Sequence, residues 1–462
     1  MKIPNPILIT LLLLSRVHST DALFEFFGNA ARSICFSRFN PLYLLSTLPI
    51  ALGGYPALYE TARLLDSSLG TVDLFGTCIR AAISRDDVAA LLPTMVERIE
   101  NLDGAKTNNL GLIRMDETVF PCGSGEPTPY SNGYCGIALG APVEDHRKVR
   151  QMLDIAMGNG DGTFDWTDMG NRWDFQTLRD AAADFISTRD RLNMGDDAGA
   201  FYIQQIHNIV LNIDMSLEDA RDFQSYSAGT LLPASIITPI PIVSGFLADY
   251  EGARNGRARW VELYTNALAP LMGEYLLEES SLTLAAHSLV DAFAYAAAPS
   301  INLVTRGVVG AFMNDLDEGN IDWSNRDDLG RIIYEMIRWA PPVLAVAFEA
   351  DGRRYHSTVG YTGYDADFFG DDWRDIRVRG DVDYYRERML NWADTALPLA
   401  GRPETARLCP ARSLSYNLVL AFMDALDVQS WEMADGAAPP NVPRPGGGPN
   451  FWSAFTISRI GV

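Results

Sequence analysis

A single cysteine at the mouth of a helix constrains this chain more than any other residue. Cys409 lies in Arg407-Leu408-Cys409-Pro410-Ala411-Arg412, which runs straight into the apolar, helical stretch Leu414–Leu426. Unpaired backbone N–H groups and the helix dipole at such a position favour a thiolate, and a thiolate can bind a metal. Upstream, Glu335-Met336-Ile337-Arg338 runs into Trp339-Ala340-Pro341-Pro342-Val343, where paired prolines must stop a helix. Glu-x-x-Arg alone says little, since it recurs at Glu60–Arg63, Glu144–Arg147, Glu218–Arg221, Glu251–Arg254 and Glu404–Arg407. The ordered combination, a Glu335–Arg338 helix stopped by Pro-Pro and then a helix-opening Cys, is far more specific. The competing reading is an ordinary buried Cys and a surface ion pair.

That combination resembles the C-terminal half of the cytochrome P-450 superfamily. The resemblance implies a mainly α fold with small β-sheets. It implies haem b with Cys409 as the axial thiolate on iron, and Glu335–Arg338 as a brace behind it. Arg386 and Arg388, in Tyr384-Tyr385-Arg386-Glu387-Arg388, are the candidates to join that brace. His146 and Arg150 stand at i and i+4, on one helix face. The resemblance assigns them, with Lys106, to the haem propionates; a solvated basic face is the alternative.

Composition sets the outer bounds. The 462 residues are 47% hydrophobic and 10% aromatic, enough for an extensive core. No linker divides them, so residues 20–462 read as one domain. A net charge of −22 and the lack of a basic stripe exclude a nucleic-acid partner. Lys2, the apolar run Ile7–Leu14 and the small-residue exit through Ser19 read as a secretory signal peptide over residues 1–19. The destination is then the ER lumen, the exterior or, onward, a plastid; an uncleaved short anchor and membrane association are the alternative. Leu231–Leu247 is apolar but broken by Pro233, Pro239 and Pro241. In an oxidising lumen Cys122 and Cys135 could pair across the Gly/Pro-rich loop between them; reduced, structural cysteines are equally compatible.

Helical periodicity marks Asp86–Leu102, Val143–Met157, Trp173–Leu192, Leu217–Tyr226, Leu247–Leu277, Leu284–Leu316 and Arg331–Trp339. Strand character comes in short late pieces at Val343–Phe348, Arg353–Val359 and Phe455–Ile460, the last reached through a Pro/Gly linker at 436–450. Asn159–Asp165 and Asp315–Asp322 echo calcium loops without the required ligand pattern and read as acidic turns. No Cys/His cluster has zinc spacing.

Four further pieces resemble one branch, the allene oxide synthase, hydroperoxide lyase and epoxyalcohol synthase clan. They are Pro49–Leu65 with its Gly-Gly-Tyr-Pro turn, Lys106-Thr107-Asn108-Asn109, Glu144–Arg150, and His287-Ser288-Leu289-Val290 followed by Ala292. The central stretch Ala292–Ser300 lacks the acid–alcohol pair that feeds protons to iron-bound dioxygen in conventional members. A hydroperoxide substrate brings its own reduced O–O bond and has no need of that pair. The expected activity is therefore rearrangement or cleavage of fatty-acid hydroperoxides without an external reductase. Cys409, Ala296 and Ser300 stand nearest the chemistry, and Tyr295, Pro299, Leu344, Val346 and Phe348 line an apolar pocket. The chain departs from the clan at Ala296, where the plant-type pattern has Asn (Asn302 is the nearest amide), and at Ala411, where it has Gly. The alternatives are a monooxygenase using dioxygen and a reductase partner, docked through Arg402, Arg407 and Arg412, and a haem-free relative that only binds lipid.

Overall fold

The computed structural model describes residues 71–74, 79–82, 84–101, 107–108, 143–156, 168, 173–231, 249–275, 279–316, 319–343, 346–350, 353–402, 405–443 and 452–461. Residues 1–19, Pro49–Leu65, Lys106, Leu344, the cysteines other than Cys409, and 444–450 of the linker lie outside them. In chain order the elements are β1 (Thr71–Leu74), β2 (Ile79–Ala82), α1 (Arg85–Asn101), β3 (Thr107–Asn108), α2 (Val143–Ala156), α3 (Phe175–Ser187) and β4 (Arg191–Asn193). Next come α4 (Asp196–Gln205), α5 (Leu217–Gln224), α6 (Tyr250–Tyr275), α7 (Glu279–Ala292), α8 (Ala298–Met313) and α9 (Arg326–Trp339). The last are β5 (Val346–Ala350), β6 (Arg353–Ser357), α10 (Val382–Arg388), α11 (Arg412–Leu426), β7 (Trp431–Met433) and β8 (Thr456–Arg459). The helical majority with small sheets matches the fold class expected from sequence.

One sheet has the order β1-β2-β6-β5-β3, with β2 and β6 parallel and the other pairs antiparallel. A second, antiparallel sheet has the order β4-β8-β7, so the end of the chain is fastened between two earlier segments. The described part of the 436–450 segment is also tied down: Asn314 Nδ2 donates to Pro440 O and Trp339 Nε1 to Pro443 O, both at 3.0 Å.

Local rules explain the helix ends. Asn325 caps α9 by accepting from the Asp327 and Asp328 amides, acids occupy its first turn, and it stops just before Pro341. Asp174 caps α3 through the Thr177 amide. The pattern missed the short α10 and, more tellingly, α4. Residues 198–203 and Gln205 of α4 are all buried, so α4 is enclosed on every side and shows no amphipathic stripe.

A central rod runs through the core as α7, a π turn at Phe293–Ala297, and α8. It packs against α2 and α6 through α7 and against α4, α9 and α11 through α8, while α11 lies along α3. A second, smaller apolar cluster joins α1 (Val88, Leu92, Met95, Val96) to Leu390, Ala396, Ala406 and Leu408, and so supports the segment leading into Cys409.

His207, fully buried among Phe223, Tyr264 and Phe293, lies in a second π turn that extends α4. Its Nδ1 faces Ile203 O at 2.6 Å, and since a carbonyl only accepts, Nδ1 carries the proton and Nε2 accepts from the Tyr264 hydroxyl. Burial pushes the imidazole down to about 4, against an ordinary value of 6.5. The unfolded chain thus binds one more proton between those values, and stability should fall by on the order of 3 kcal/mol as pH drops through that window. Urea unfolding across the window should show a steeper loss in the wild type than in His207→Gln, which keeps only the share due to His287. Equal pH slopes for the two proteins would disprove the assignment.

Candidate active site

Glu335 and Arg338 are both fully buried in the last turns of α9. Arg338 grips the carboxylate with both arms, Nε to Oε2 at 2.8 Å and Nη2 to Oε1 at 2.6 Å. Its remaining donors reach Gly363 O, Trp373 O and Asp375 O. Burial alone would lower this guanidinium, but the Glu335 charge and hydrogen bonds hold it above its ordinary value. A Cβ on Gly363 would sit 2.7 Å from Arg338 Cγ, so only glycine lets that loop close over the pair.

The third cation in the brace is not one that the sequence suggested. Arg379 Nη1 donates to Glu335 Oε1 at 2.7 Å, and its other arm holds Asp372 O and Asp375 O. The Arg377 amide and the Tyr385 hydroxyl also donate to Glu335. Arg386 instead bonds the Tyr334 hydroxyl and Asp383, and Arg388 turns to Tyr384 O and Glu387. These two residues follow an aromatic pair that seats against the core, which is what attracted attention to them. Arg379 lies in an irregular segment where no periodicity announces burial.

Cys409 precedes α11, and its amide donates to Trp392 O at 2.9 Å. Just before it, the Arg407 and Leu408 amides both donate to Ala396 O. α11 begins after Ala411 with no side-chain cap, and the Ala411 amide bonds Cys409. Burial pushes the thiol up, while that amide and the Arg150 guanidinium favour the thiolate. The helix mouth therefore does not by itself deliver the thiolate expected there; a coordinated metal ion would.

His146 and Arg150 on α2 are 1% and 5% exposed, which rules out a solvated face. Arg150 Nη2 donates to Leu408 O at 3.0 Å and Ala406 O at 3.3 Å, gripping the backbone just before Cys409. Its Nε donates to His146 Nε2 at 3.3 Å, so that nitrogen is the unprotonated one. Burial lowers Arg150 to about 10; the Cys409 charge opposes this, and the Arg407 charge adds to it. Nη1 of Arg150 has no hydrogen-bond partner among the described residues. A second guanidinium, Arg407, is 1% exposed beside it. Two buried cations, one with an open donor, beside a cysteine that needs a cation to ionise, form a donor set that fits haem: carboxylates for the arginines and iron for the thiol. Arg407 was read from sequence as part of an exposed docking surface. The structure buries it and ties Arg412 to Asp394 at 2.7 Å, which leaves little of that surface.

The π turn of the central rod holds Tyr295 and Ala296, and Pro299 and Ser300 open α8 half-buried. Val346 and Phe348 are placed in β5. The acid nearest the π turn, Asp291, is fully buried and held by both arms of Arg257, at 2.7 and 3.2 Å. Arg257 Nη1 also donates to His287 Nδ1 at 2.5 Å, and burial with that charge pushes His287 down to about 3. Asn302 donates to Gly195 O at 2.7 Å and is committed to the α4 side. Thr305 is likewise engaged, accepting from Tyr202 and donating to Ile301 O.

No family model and no curated protein matches the sequence. Solved structures do. P450BioI in complex with hexadec-9Z-enoic acid ligated acyl carrier protein matches with a TM-score of 0.56 at 13% identity, over 87% of this chain and 97% of that one. Epothilone D-bound P450epoK matches with a TM-score of 0.54 at 10% identity, over 92% and 98%. CYP109Q5 from Chondromyces apiculatus matches with a TM-score of 0.53 at 11% identity, over 89% and 97%. The chain has the cytochrome P-450 fold.

Glu335→Gln would leave Arg338 and Arg379 buried around a neutral amide, and should cost about 3–5 kcal/mol of stability. Arg386→Ala, at a half-exposed pair, should cost under about 1 kcal/mol. Denaturant titration of both variants tests the assignment of Arg379; comparable losses would reinstate Arg386 in the brace.

Proposed function

We propose that this chain is a haem-thiolate enzyme of the cytochrome P-450 superfamily that rearranges or cleaves fatty-acid hydroperoxides without an external reductase. The observation that carries the reading is the state of the central rod. Its π turn has no acid–alcohol pair, and Asp291, the acid closest to it along the rod, is clamped by Arg257. Proton delivery to dioxygen has no obvious donor there, whereas a hydroperoxide arrives with its O–O bond already reduced. Bound haem b would supply an iron centre able to cleave that bond, tuned by thiolate donation.

The protein's own residues do the holding. Cys409, positioned through Trp392 O and the Ala411 amide, would supply the thiolate that holds the iron. Arg150 and Arg407 would hold the haem carboxylates, with His146 orienting Arg150 and Lys106 as a further candidate. Pro299 and Ser300, with Tyr295, Ala296, Leu344, Val346 and Phe348 as the candidates read from sequence, would line the side where an apolar chain lies. The acyl ligand named for P450BioI supports such a chain. A secretory leader at residues 1–19 would also separate the enzyme from cytosolic reductases.

The second reading is a monooxygenase fed by a reductase, which agrees at least as well with the fold neighbours, all of them cytochromes P-450. Purified, haem-loaded protein should consume a polyunsaturated fatty-acid hydroperoxide with no NADPH present. Turnover that appears only with a reductase and NADPH would replace the first reading by the second. Cys409→Ser should abolish the thiolate-type Soret band of the reduced, carbon monoxide-bound protein. A variant that keeps it would remove Cys409 from the iron.

A further inference from the structure

Where α6 meets the end of α4 and the central rod, a tyrosine and a histidine face each other out of reach of water. Tyr264 of α6 and His207 are both fully buried, and the Tyr264 hydroxyl donates to His207 Nε2. The Nδ1 proton, held on Ile203 O at 2.6 Å, fixes the tautomer, so the phenol meets a basic lone pair. The Tyr264 ring lies nearly parallel to that of Phe293, at 8° and 6.3 Å between centroids, and the His207 ring is 5.7 Å from the same Phe293. Phe293 opens the π turn of the rod, which also holds Tyr295 and Ala296.

A phenol bonded to an imidazole can do what most tyrosines in this core cannot. Electrons tunnel through packed protein, whereas a proton moves only along a hydrogen bond to a base. A phenol that loses an electron becomes a strong acid and must hand its proton on at once. Tyr384 donates to Phe368 O, Tyr364 to Trp339 O and Tyr202 to the Thr305 hydroxyl, none of them a base able to keep such a proton. Tyr385 donates to Glu335, but protonating that carboxylate would release Arg338 and Arg379. His207 has no such duty. Burial lowers it to about 4, so its lone pair is open at neutral pH, and burial holds Tyr264 well above its ordinary value, so simple ionisation is closed to the phenol.

Resting on the haem-thiolate reading above, we infer that Tyr264 and His207 form an internal one-electron donor to the haem centre once a peroxide has oxidised it. In this step one electron leaves Tyr264 for the haem centre. The phenolic O–H bond breaks and its proton bonds to His207 Nε2, leaving a neutral tyrosyl radical beside an imidazolium. The peroxide is the oxidant: breaking its O–O bond delivers two oxidising equivalents, and the electron from Tyr264 cancels one. Thiolates are readily oxidised, so a buried donor elsewhere spares Cys409 when no substrate consumes those equivalents.

The test is freeze-quench electron paramagnetic resonance of haem-loaded, full-length protein mixed with m-chloroperbenzoic acid, which has no lipid chain to rearrange. The wild type should give a tyrosyl radical whose signal narrows when its tyrosines are ring-deuterated. Tyr264→Phe should remove most of that signal while the thiolate spectrum is kept. His207→Gln leaves the phenol an acceptor but no base, and should remove as much although Tyr264 is still present. A merely structural pair gives no such loss. Peracid consumed without a tyrosyl radical, or a signal undiminished in either variant, would overturn this inference alone. A wild-type chain that takes up no haem would overturn the haem-thiolate reading and this inference with it.

Discussion

The arrangement depends first on one negative charge placed where water cannot reach it. Glu335 is ringed by Arg338, Arg379, the Arg377 amide and the Tyr385 hydroxyl. Taking a carboxylate and two guanidiniums out of water is expensive, and the cost is offset only because nearly every donor has an acceptor. The spare donors of the arginines are spent on the main-chain carbonyls of Gly363, Asp372, Trp373 and Asp375, in a stretch that is otherwise held by short helical turns. One charge therefore organises this stretch and fixes it to α9. Because α9 also packs on α8 and α11, the segment that opens into Cys409 inherits its position from this network.

What the sequence made legible follows from where each residue sits. Cys409 and Glu335–Arg338 could be read because both stand at helix ends, where a proline pair or the onset of an apolar run marks a boundary. Most helices could be read because half their surface faces water. α4 could not, since enclosure on all sides removes the contrast on which periodicity depends. Arg379 and Arg407 show the same blindness for polar residues. Arg402, Arg407 and Arg412 look alike in sequence, yet Arg407 is buried while Arg412 is tied to acids contributed by distant segments. Burial of an arginine is decided by its partners, and those are main-chain carbonyls or residues far away along the chain.

On the central rod, polar side chains are committed to partners across helix boundaries. Arg257 of α6 occupies Asp291, Gly195 occupies Asn302, and Tyr202 of α4 occupies Thr305. Interhelical bonds of this kind fix how the helices pack at the expense of groups that might otherwise have entered chemistry. The residues of the π turn itself, Phe293-Ala294-Tyr295-Ala296-Ala297, carry no charge.

That π turn has a consequence for what length of chain the rod can tolerate. A π turn amounts to an α-helix carrying one surplus residue. Here Ser227, from the π segment Ser225–Leu231, donates to Ala294 O within it. Deleting one of the alanines of this turn, Ala294, Ala296 or Ala297, would let the rod relax to a regular helix at little local cost. Everything beyond would then swing by about 100° about the axis and retreat by about 1.5 Å. Asn302 and Thr305 would both turn away from α4, and Gly310 would lose its place beneath the Trp452 ring, where a Cβ would come within 2.4 Å. In this stretch the number of residues is under tighter constraint than their identity, so substitutions should drift there far more freely than insertions or deletions.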